Sequence, residues 1–382
     1  MISRGSRQRL LPAALQSAKA ATAVATSKRI VSGNSQLNQF LRTTMQPALD
    51  RYTPTWWANA HVQVFLTFVV PQSRIKYRRE MLVLRDGGQS SLDWVLTEQY
   101  RDCAHDLTHD SPIALVMHGL TGCSDSMRSI CAEALRNGYR PVVYNKRGHG
   151  GMKLSTPKLQ AFGCVNDLKE AIEVVQQRYP SAKIYGIGSS AGSGLLCSYL
   201  GETGGDSKIE AGVLISPGYN AHQLFVEGRI NPMYDFLMTL NLKKFLLRHQ
   251  SELKDVIHMP SVLKASSIRE FDEHVYMKMH GYDSLLTYWE DNNPMRAIHN
   301  IQRPVLCINA LDDPVCTKDQ IPYETFESNP MAMLVTTGKG SHCAFYQGHV
   351  VLKSWANEAA MAYLNRVREY TGPYEHQANK TA

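Results

Sequence analysis

The sequence predicts an α/β fold, a doubly wound and mostly parallel sheet with one helical insertion. Three observations carry that expectation. Short apolar runs alternate with amphipathic helical stretches from residue 112 to 217. The runs are continuously apolar and not alternating, as expected of strands covered on both faces. Residues 218–300 then break the rhythm with helical patterns, and strand-like runs resume at Pro304. Repeated strand–helix–strand units build parallel sheets whose chemistry sits past the carboxyl ends of the strands.

Taken in order, the chain begins with a basic leader. The 382 residues are 43% hydrophobic and 20% charged, which suits one large globular domain or two smaller ones. The net charge of +7 is local: residues 1–49 hold seven of the 41 basic residues and no Asp or Glu, leaving 34 basic against 34 acidic in the rest. A neutral body gives no reason to expect nucleic acid as a partner. An Arg-rich, Ser-rich, acid-free start has the composition of a transit peptide, with a mitochondrion or another organelle as destination. The competing reading is a disordered basic leader on a cytoplasmic protein. The apolar runs Leu10–Leu15 and Val62–Val70 fall far short of the roughly 20 residues of a membrane span, so no transmembrane helix is expected. The eight Cys are scattered without C-x-x-C, which argues for reduced thiols and against a zinc cluster.

The folded part is expected to open at Pro54-Thr55-Trp56-Trp57, making residues 50–217 the first part of the core. Strands are expected at Glu80–Asp86 and Leu92–Thr97, joined by the turn signal Asp86-Gly87-Gly88. Pro112–Met117 reads as a buried strand, followed by a helix capped near Ser124. The strand Pro141–Tyr144, the helix Asn166–Tyr179, the strand Lys183–Ile187 and the strand Ala211–Ile215 complete the first half. Residues 218–300 read as a helical cap. Residues 301–370 return to the core with strands at Pro304–Ala310 and Met331–Thr336, a helix near Ile321–Glu327 and a closing helix from about Val350 to Tyr370. Residues 371–382 are a polar tail.

The chemistry centres on Tyr185-Gly186-Ile187-Gly188-Ser189-Ser190-Ala191-Gly192. Only Ser190 has Gly both two before and two after, so the G-x-S-x-G turn selects it over Ser189. Such a turn needs Gly188 and Gly192 because the chain crosses itself closely, and it lifts the hydroxyl out of the sheet. The helix N-terminus beyond offers N–H groups to a developing oxyanion. A serine needs a base and a group that orients the base. The loops after the last two strands supply Asp312-Asp313-Pro314 and then His342, in the order Ser, Asp, His. Asp313 is favoured over Asp312 because Pro314 pushes it out of the helical region. The oxyanion N–H groups are expected from Ala191 and Leu120. His118 and Gly119 support that loop, and Arg147 is expected to brace the pocket from its glycine-rich segment. His105 and His109 have helical spacing but lie in a polar loop, so no metal is expected, nor any cofactor.

These motifs resemble the α/β-hydrolases, in particular the group of α/β-hydrolase domain-containing proteins 1, 2 and 3 and the fungal medium-chain fatty acid ethyl ester synthases. The resemblance covers about residues 50–365. Beyond the serine turn it rests on His61-x-Gln63, Arg79-Glu80, Asp86-Gly87, Leu92-Asp93-Trp94, His118-Gly119-Leu120-Thr121-Gly122, Asn145-x-Arg147-Gly148-x-Gly150-Gly151, Ser198-Tyr199-Leu200-Gly201-Glu202, Phe271-Asp272-Glu273 with Gly281-Tyr282, and Asn309-Ala310-x-Asp312-Asp313-Pro314. It implies the α/β-hydrolase fold and a serine esterase, lipase or acyltransferase acting on lipid-like esters through Ser190, Asp313 and His342. Peripheral membrane contact would come through the cap. The chain departs from the group's pattern at Ser189, Gly194, Lys146 and His149. An alcohol O-acyltransferase and a non-catalytic lipid-binding module on the same fold are the alternatives.

Overall fold

The computed structural model describes residues 28–55, 57–97, 107–348, 352–372 and 374. Its sheet strands are β1 (Lys28–Val31), β2 (Tyr77–Val83), β3 (Gln89–Val95), β4 (Ile113–Met117), β5 (Arg140–Asn145), β6 (Ile184–Ser189), β7 (Ile209–Ile215), β8 (Val305–Ala310) and β9 (Ala332–Thr337). The main helices before the second half of the sheet are α1 (Gln36–Asp50), α2 (Ala60–Val69), α3 (Arg128–Arg136), α4 (Asn166–Arg178), α5 (Ala191–Thr203) and α6 (Pro232–Leu247). Five shorter ones follow: α7 (Gln250–Leu253), α8 (Met259–Lys264), α9 (Ile268–His274), α10 (Tyr276–His280) and α11 (Leu285–Asn292). The last two are α12 (Tyr323–Ser328) and α13 (Trp355–Glu369).

The nine strands form one sheet in the order β1-β9-β8-β7-β6-β4-β5-β3-β2. Six consecutive members, β5-β4-β6-β7-β8-β9, pair in parallel. The antiparallel pair β2 and β3 extends one edge, and antiparallel β1 closes the other. β4, β8 and β9 are buried along their whole length. That burial explains their unbroken apolar runs, because helices cover both faces of the sheet. The doubly wound, mostly parallel sheet expected from the sequence is therefore present.

The leader expectation needs correction. Residues 28–50 are not a tail: they form β1, which pairs with β9, and α1, which packs under α13. Ser35 caps α1 by accepting from Asn38 N at 3.1 Å. Leu37, Leu41, Met45 and Leu49 recur every four residues and are all buried. Trp355 stacks on Tyr52 at 4.5 Å and donates from Nε1 to Ala48 O at 3.1 Å. The acid-free composition hid an apolar stripe at helical spacing, and burial of that stripe outweighs the charge signal. Residues 1–27 of the expected leader lie outside the described residues, as do Trp56, His105 and nearly all of the expected tail.

Smaller differences have local causes. β2 starts and ends three residues before the strand expected at Glu80–Asp86, because the turn already begins at Leu84, whose N–H donates to Gly88 O at 2.8 Å. The closing helix begins at Trp355 and not near Val350, since Lys353–Ser354 first pairs with Tyr346–Gln347. Residues 218–300 carry α6 to α11 and form a second apolar cluster above the sheet, around Leu246, Phe271, Tyr288 and Trp289.

Candidate active site

β6 ends at Ser189, and α5 starts at Ala191. Ser190 joins them at φ 53 and ψ −120, a backbone state that L residues with side chains rarely adopt. Two contacts hold it there. Its N–H donates to Ile215 O on β7 at 2.9 Å, and its carbonyl accepts from Ser193 N at 2.9 Å. The flanking glycines are required by space. A Cβ on Gly192 would lie 2.2 Å from Met117 O, and one on Gly188 would lie 2.5 Å from Gly192 O. Both approaches are to backbone, which cannot rotate away.

The turn aims Ser190 Oγ at His342, whose Nε2 is 2.7 Å away. His342 Nδ1 lies 3.0 Å from Asp313 Oδ2. A carboxylate only accepts, so the imidazole proton sits on Nδ1 and leaves a lone pair on Nε2 facing the hydroxyl. Asp313 is fixed in turn: its Oδ1 accepts from Val315 N at 2.8 Å and Cys316 N at 2.9 Å. Its side chain has no exposed surface, whereas that of His342 is 15% exposed. Burial pulls the His342 imidazolium down, and Asp313 more than reverses this, so its pKa ends well above the ordinary histidine value. The structure thus brings together Ser190, His342 and the second of the two aspartates. Asp312 lies outside this chain of contacts, and burial pushes its carboxyl up to about 6.

The oxyanion side has the expected parts. Gly119 approaches so closely that a Cβ there would be 3.5 Å from Ser190 Cβ. Neither Leu120 N nor Ala191 N is spent in the described hydrogen bonds of turns, loops and caps. Ala191 is the first residue of α5, where the N–H has no partner within the helix. Two buried rings shape the loop. His118 Nδ1 donates to Gly119 O at 2.8 Å, and His149 Nδ1 donates to Gly122 O at 2.9 Å. Burial drives His118 down to about 3 and His149 well below its usual range, so both rings are neutral and neither competes as a base.

Arg147 does not reach Ser190. It is buried and pairs with Asp167 through Nε at 2.6 Å and Nη2 at 2.8 Å, and with Asp86 at 2.8 Å. It ties the β2–β3 turn to α4 and so holds the loop after β5 in place. A second network, anchored on buried Asp93, Ser124 and Asn145, does the same for the oxyanion loop. Arg79 grips Asp93 with two 2.8 Å bonds, Asp93 accepts from Ser124 Oγ at 2.6 Å, and Ser124 N donates to Asn145 Oδ1 at 3.0 Å.

Some members of the site were not anticipated. Ser216 has φ 49, and its Oγ accepts from Cys343 N at 2.9 Å; Cys343, next to His342, has φ 59. The available signal was a serine at the end of a strand before Pro217. Gly194, where the resembling group carries Asn, faces Pro294: a Cβ would come within 2.8 Å of its ring. Asp313, Cys316 and His342 place ligand-type atoms within 4.8 Å of one another. Asp313 and His342 already bind each other, and burial pushes the Cys316 thiol up to about 11, so its sulfur is protonated at neutral pH. That set suits a proton relay beside a buried thiol better than a metal.

Two cavities meet at Ser190. A narrow apolar channel runs under the helices of residues 218–300, lined by Leu120, Phe162, Leu224, Met238 and Trp289. An open cleft on the other side is lined by Val64, Phe68, Gly119, His342 and Cys343. A positioned hydroxyl, a base whose tautomer is fixed and N–H donors beside an apolar channel can together perform acyl transfer on an ester.

Comparison with known proteins gives a consistent result. Residues 112–349 match the family described as the alpha/beta hydrolase fold. The human protein ABHD15 is 33% identical over 85% of this chain and 70% of its own length. Human phospholipase ABHD3 is 32% identical, covering 91% of this chain and 84% of its own. Human monoacylglycerol lipase ABHD2 is 27% identical, covering 88% and 85%. Among solved structures, the Pyrococcus furiosus esterase Pf2001 superposes with a TM-score of 0.51 at 18% identity, over 79% of this chain and 98% of its own. At that identity the likeness concerns the fold.

Proposed function

The chain belongs to the alpha/beta hydrolase fold family, and from that premise we propose that it is a serine hydrolase of lipid-like carboxylic esters. The observation that carries the proposal is the run of contacts Ser190 Oγ, His342 Nε2, His342 Nδ1 and Asp313 Oδ2 at 2.7 and 3.0 Å. Relatives named phospholipase and monoacylglycerol lipase support the substrate class, as does the apolar channel.

In the proposed reaction His342 Nε2 takes the Ser190 proton as Oγ attacks the ester carbonyl. The carbonyl oxygen becomes an oxyanion held by the N–H groups of Leu120 and Ala191. The C–O bond to the alcohol breaks, His342 returns the proton to that alkoxide, and an acyl-Ser190 remains. Water, deprotonated by His342, then attacks the acyl carbonyl and releases the carboxylic acid and Ser190. Asp313 orients His342 and stabilises its cation. Residues 218–300 act as a cap, and the acyl group meets the apolar side chains beside Ser190.

The test is labelling by a fluorophosphonate together with hydrolysis of monoacylglycerols and phospholipids of varied chain length. Wild type should be labelled and Ser190→Ala should not, with a rate loss on the order of 10⁴ or more. Equal labelling of the two proteins would refute the assignment.

A further inference from the structure

Helix α2 is anomalous for a surface helix. Its inner side is fastened to the fold: Leu66 is buried in a small cluster with Ala58, Ala344 and Tyr346. Gln63 exchanges two bonds with the Tyr346 backbone, at 3.0 and 3.3 Å. Its outer side should then be polar, yet Phe65, Phe68 and Val69 are 60%, 78% and 52% exposed. They fall at i, i+3 and i+4 and so share one face. The helix contains no Asp, Glu, Lys or Arg. A helix apolar on both sides is at home in a core or in a membrane. This one is 10 residues long, too short to span.

Its surroundings define what covers it. Val64 and Phe68 line the open cleft that contains Ser190 and His342. His61 Nδ1 lies 2.9 Å from Tyr234 Oη on α6, where Met233, Phe236 and Leu237 are also exposed. Residues 51–79 hold five basic residues and no acidic one. Of these, Arg74, Lys76 and Arg78 are exposed just after the helix, while Arg79 is committed to Asp93. An exposed apolar helix face followed in the chain by exposed cations is complementary to anionic lipid headgroups over hydrocarbon.

We infer that α2 and the basic segment after it dock the protein on an anionic lipid bilayer, with the mouth of the Ser190 cleft facing the lipid. The cap was expected to make such contact; here α6 contributes beside α2. The inference goes beyond the proposed hydrolysis and does not depend on Ser190 chemistry, so it is tested in a Ser190→Ala background.

The experiment is co-sedimentation with phosphatidylcholine vesicles, with and without phosphatidylglycerol. Ser190→Ala protein should sediment with the phosphatidylglycerol vesicles, and less as salt rises. Adding Phe65→Ser and Val69→Ser should weaken partitioning on the order of 100-fold, about 2.7 kcal/mol at about 1.4 kcal/mol per tenfold. Arg74→Glu with Lys76→Glu should remove the preference for phosphatidylglycerol while leaving an unchanged thermal midpoint. With Ser190 restored, Phe65→Ser/Val69→Ser should turn over a water-soluble short-chain ester at the wild-type rate. The inference is overturned if the Ser190→Ala protein does not sediment, or if the Phe65/Val69 variant sediments equally well. It is also overturned if sedimentation velocity shows a dimer that these two substitutions dissociate. Failure of fluorophosphonate labelling with intact vesicle binding would instead count against the proposed hydrolysis alone.

Discussion

Asp313→Asn is the most informative substitution in the site. Val315 N and Cys316 N both need an acceptor, so the Asn carbonyl oxygen should take the place of Oδ1, 2.8 and 2.9 Å from them. The amide NH₂ then faces His342 Nδ1, which must become an acceptor. The ring proton moves to Nε2, where it points at Ser190 Oγ and removes the lone pair that would take the serine proton. Loss of the correct tautomer should lower kcat on the order of 10⁴. The pH profile carries a second signature. Asp313 raises the His342 pKa, and activity needs neutral His342. The acidic limb of kcat/KM in wild type should therefore lie above the ordinary histidine value of about 6.5, with activity lost as pH falls through it. The Asn variant lacks the charge that raises the His342 pKa, so its residual activity should titrate at lower pH than wild type. The assay is kcat/KM for a soluble chromogenic ester from pH 5 to 9, an interval set about the ordinary histidine value, with Asp312→Asn as control. Asp312 makes no contact with His342 in the described hydrogen bonds, and its substitution should leave the rate nearly unchanged. Retained activity and an unmoved limb in Asp313→Asn, or the losses appearing in Asp312→Asn, would refute the reasoning.

Two further outcomes follow from the surroundings of the site. Arg147→Ala strands the buried Asp167 carboxylate, so urea denaturation should show a loss of about 3–5 kcal/mol, while the folded fraction keeps a near-normal kcat because Arg147 does not touch Ser190. Maleimide should inhibit, because Cys343 lines the Ser190 cleft; Cys343→Ser should protect and Cys123→Ser should not, since Cys123 opens to a neighbouring polar cavity.

The legible parts of the molecule were those governed by local rules. Continuous apolar runs became β4, β8 and β9 because two-sided burial leaves no polar face to encode. The choice of Ser190 over Ser189 was readable because Gly188 and Gly192 are demanded by 2.5 and 2.2 Å approaches to backbone. Pro314 marked Asp313, which bonds His342. What escaped was decided by distant partners. α1 is held by Trp355, more than 300 positions later, so its composition was read as a leader. Arg147 reads as a pocket residue from its glycine-rich loop, but its carboxylates come from Asp86 and Asp167. The exposed face of α2 had no signature either, because an apolar helix looks the same whether its second side meets protein or water.

The backbone around the site shows why these long-range contacts are needed. Among the described residues, Ser190, Ser216 and Cys343 are the non-glycine positions with positive φ. All three lie in loops beyond the carboxyl ends of sheet strands, after β6, β7 and β9. Each such residue costs on the order of 1–3 kcal/mol and persists only where its surroundings over-determine it. Here they hold one another. Ser190 N donates to Ile215 O, the residue before Ser216, at 2.9 Å; Ser216 N donates to Ile308 O on β8 at 2.9 Å. Cys343 N donates to Ser216 Oγ at 2.9 Å. The proposed nucleophile and the residue following the proposed base are thus braced through one serine at the end of β7. Rigid parallel strands supply the stability, and the strained loops spend it on fixing Ser190 Oγ against His342 Nε2. Ser216 therefore belongs to the site as a positioning residue, although it touches neither the hydroxyl nor the imidazole in the described contacts.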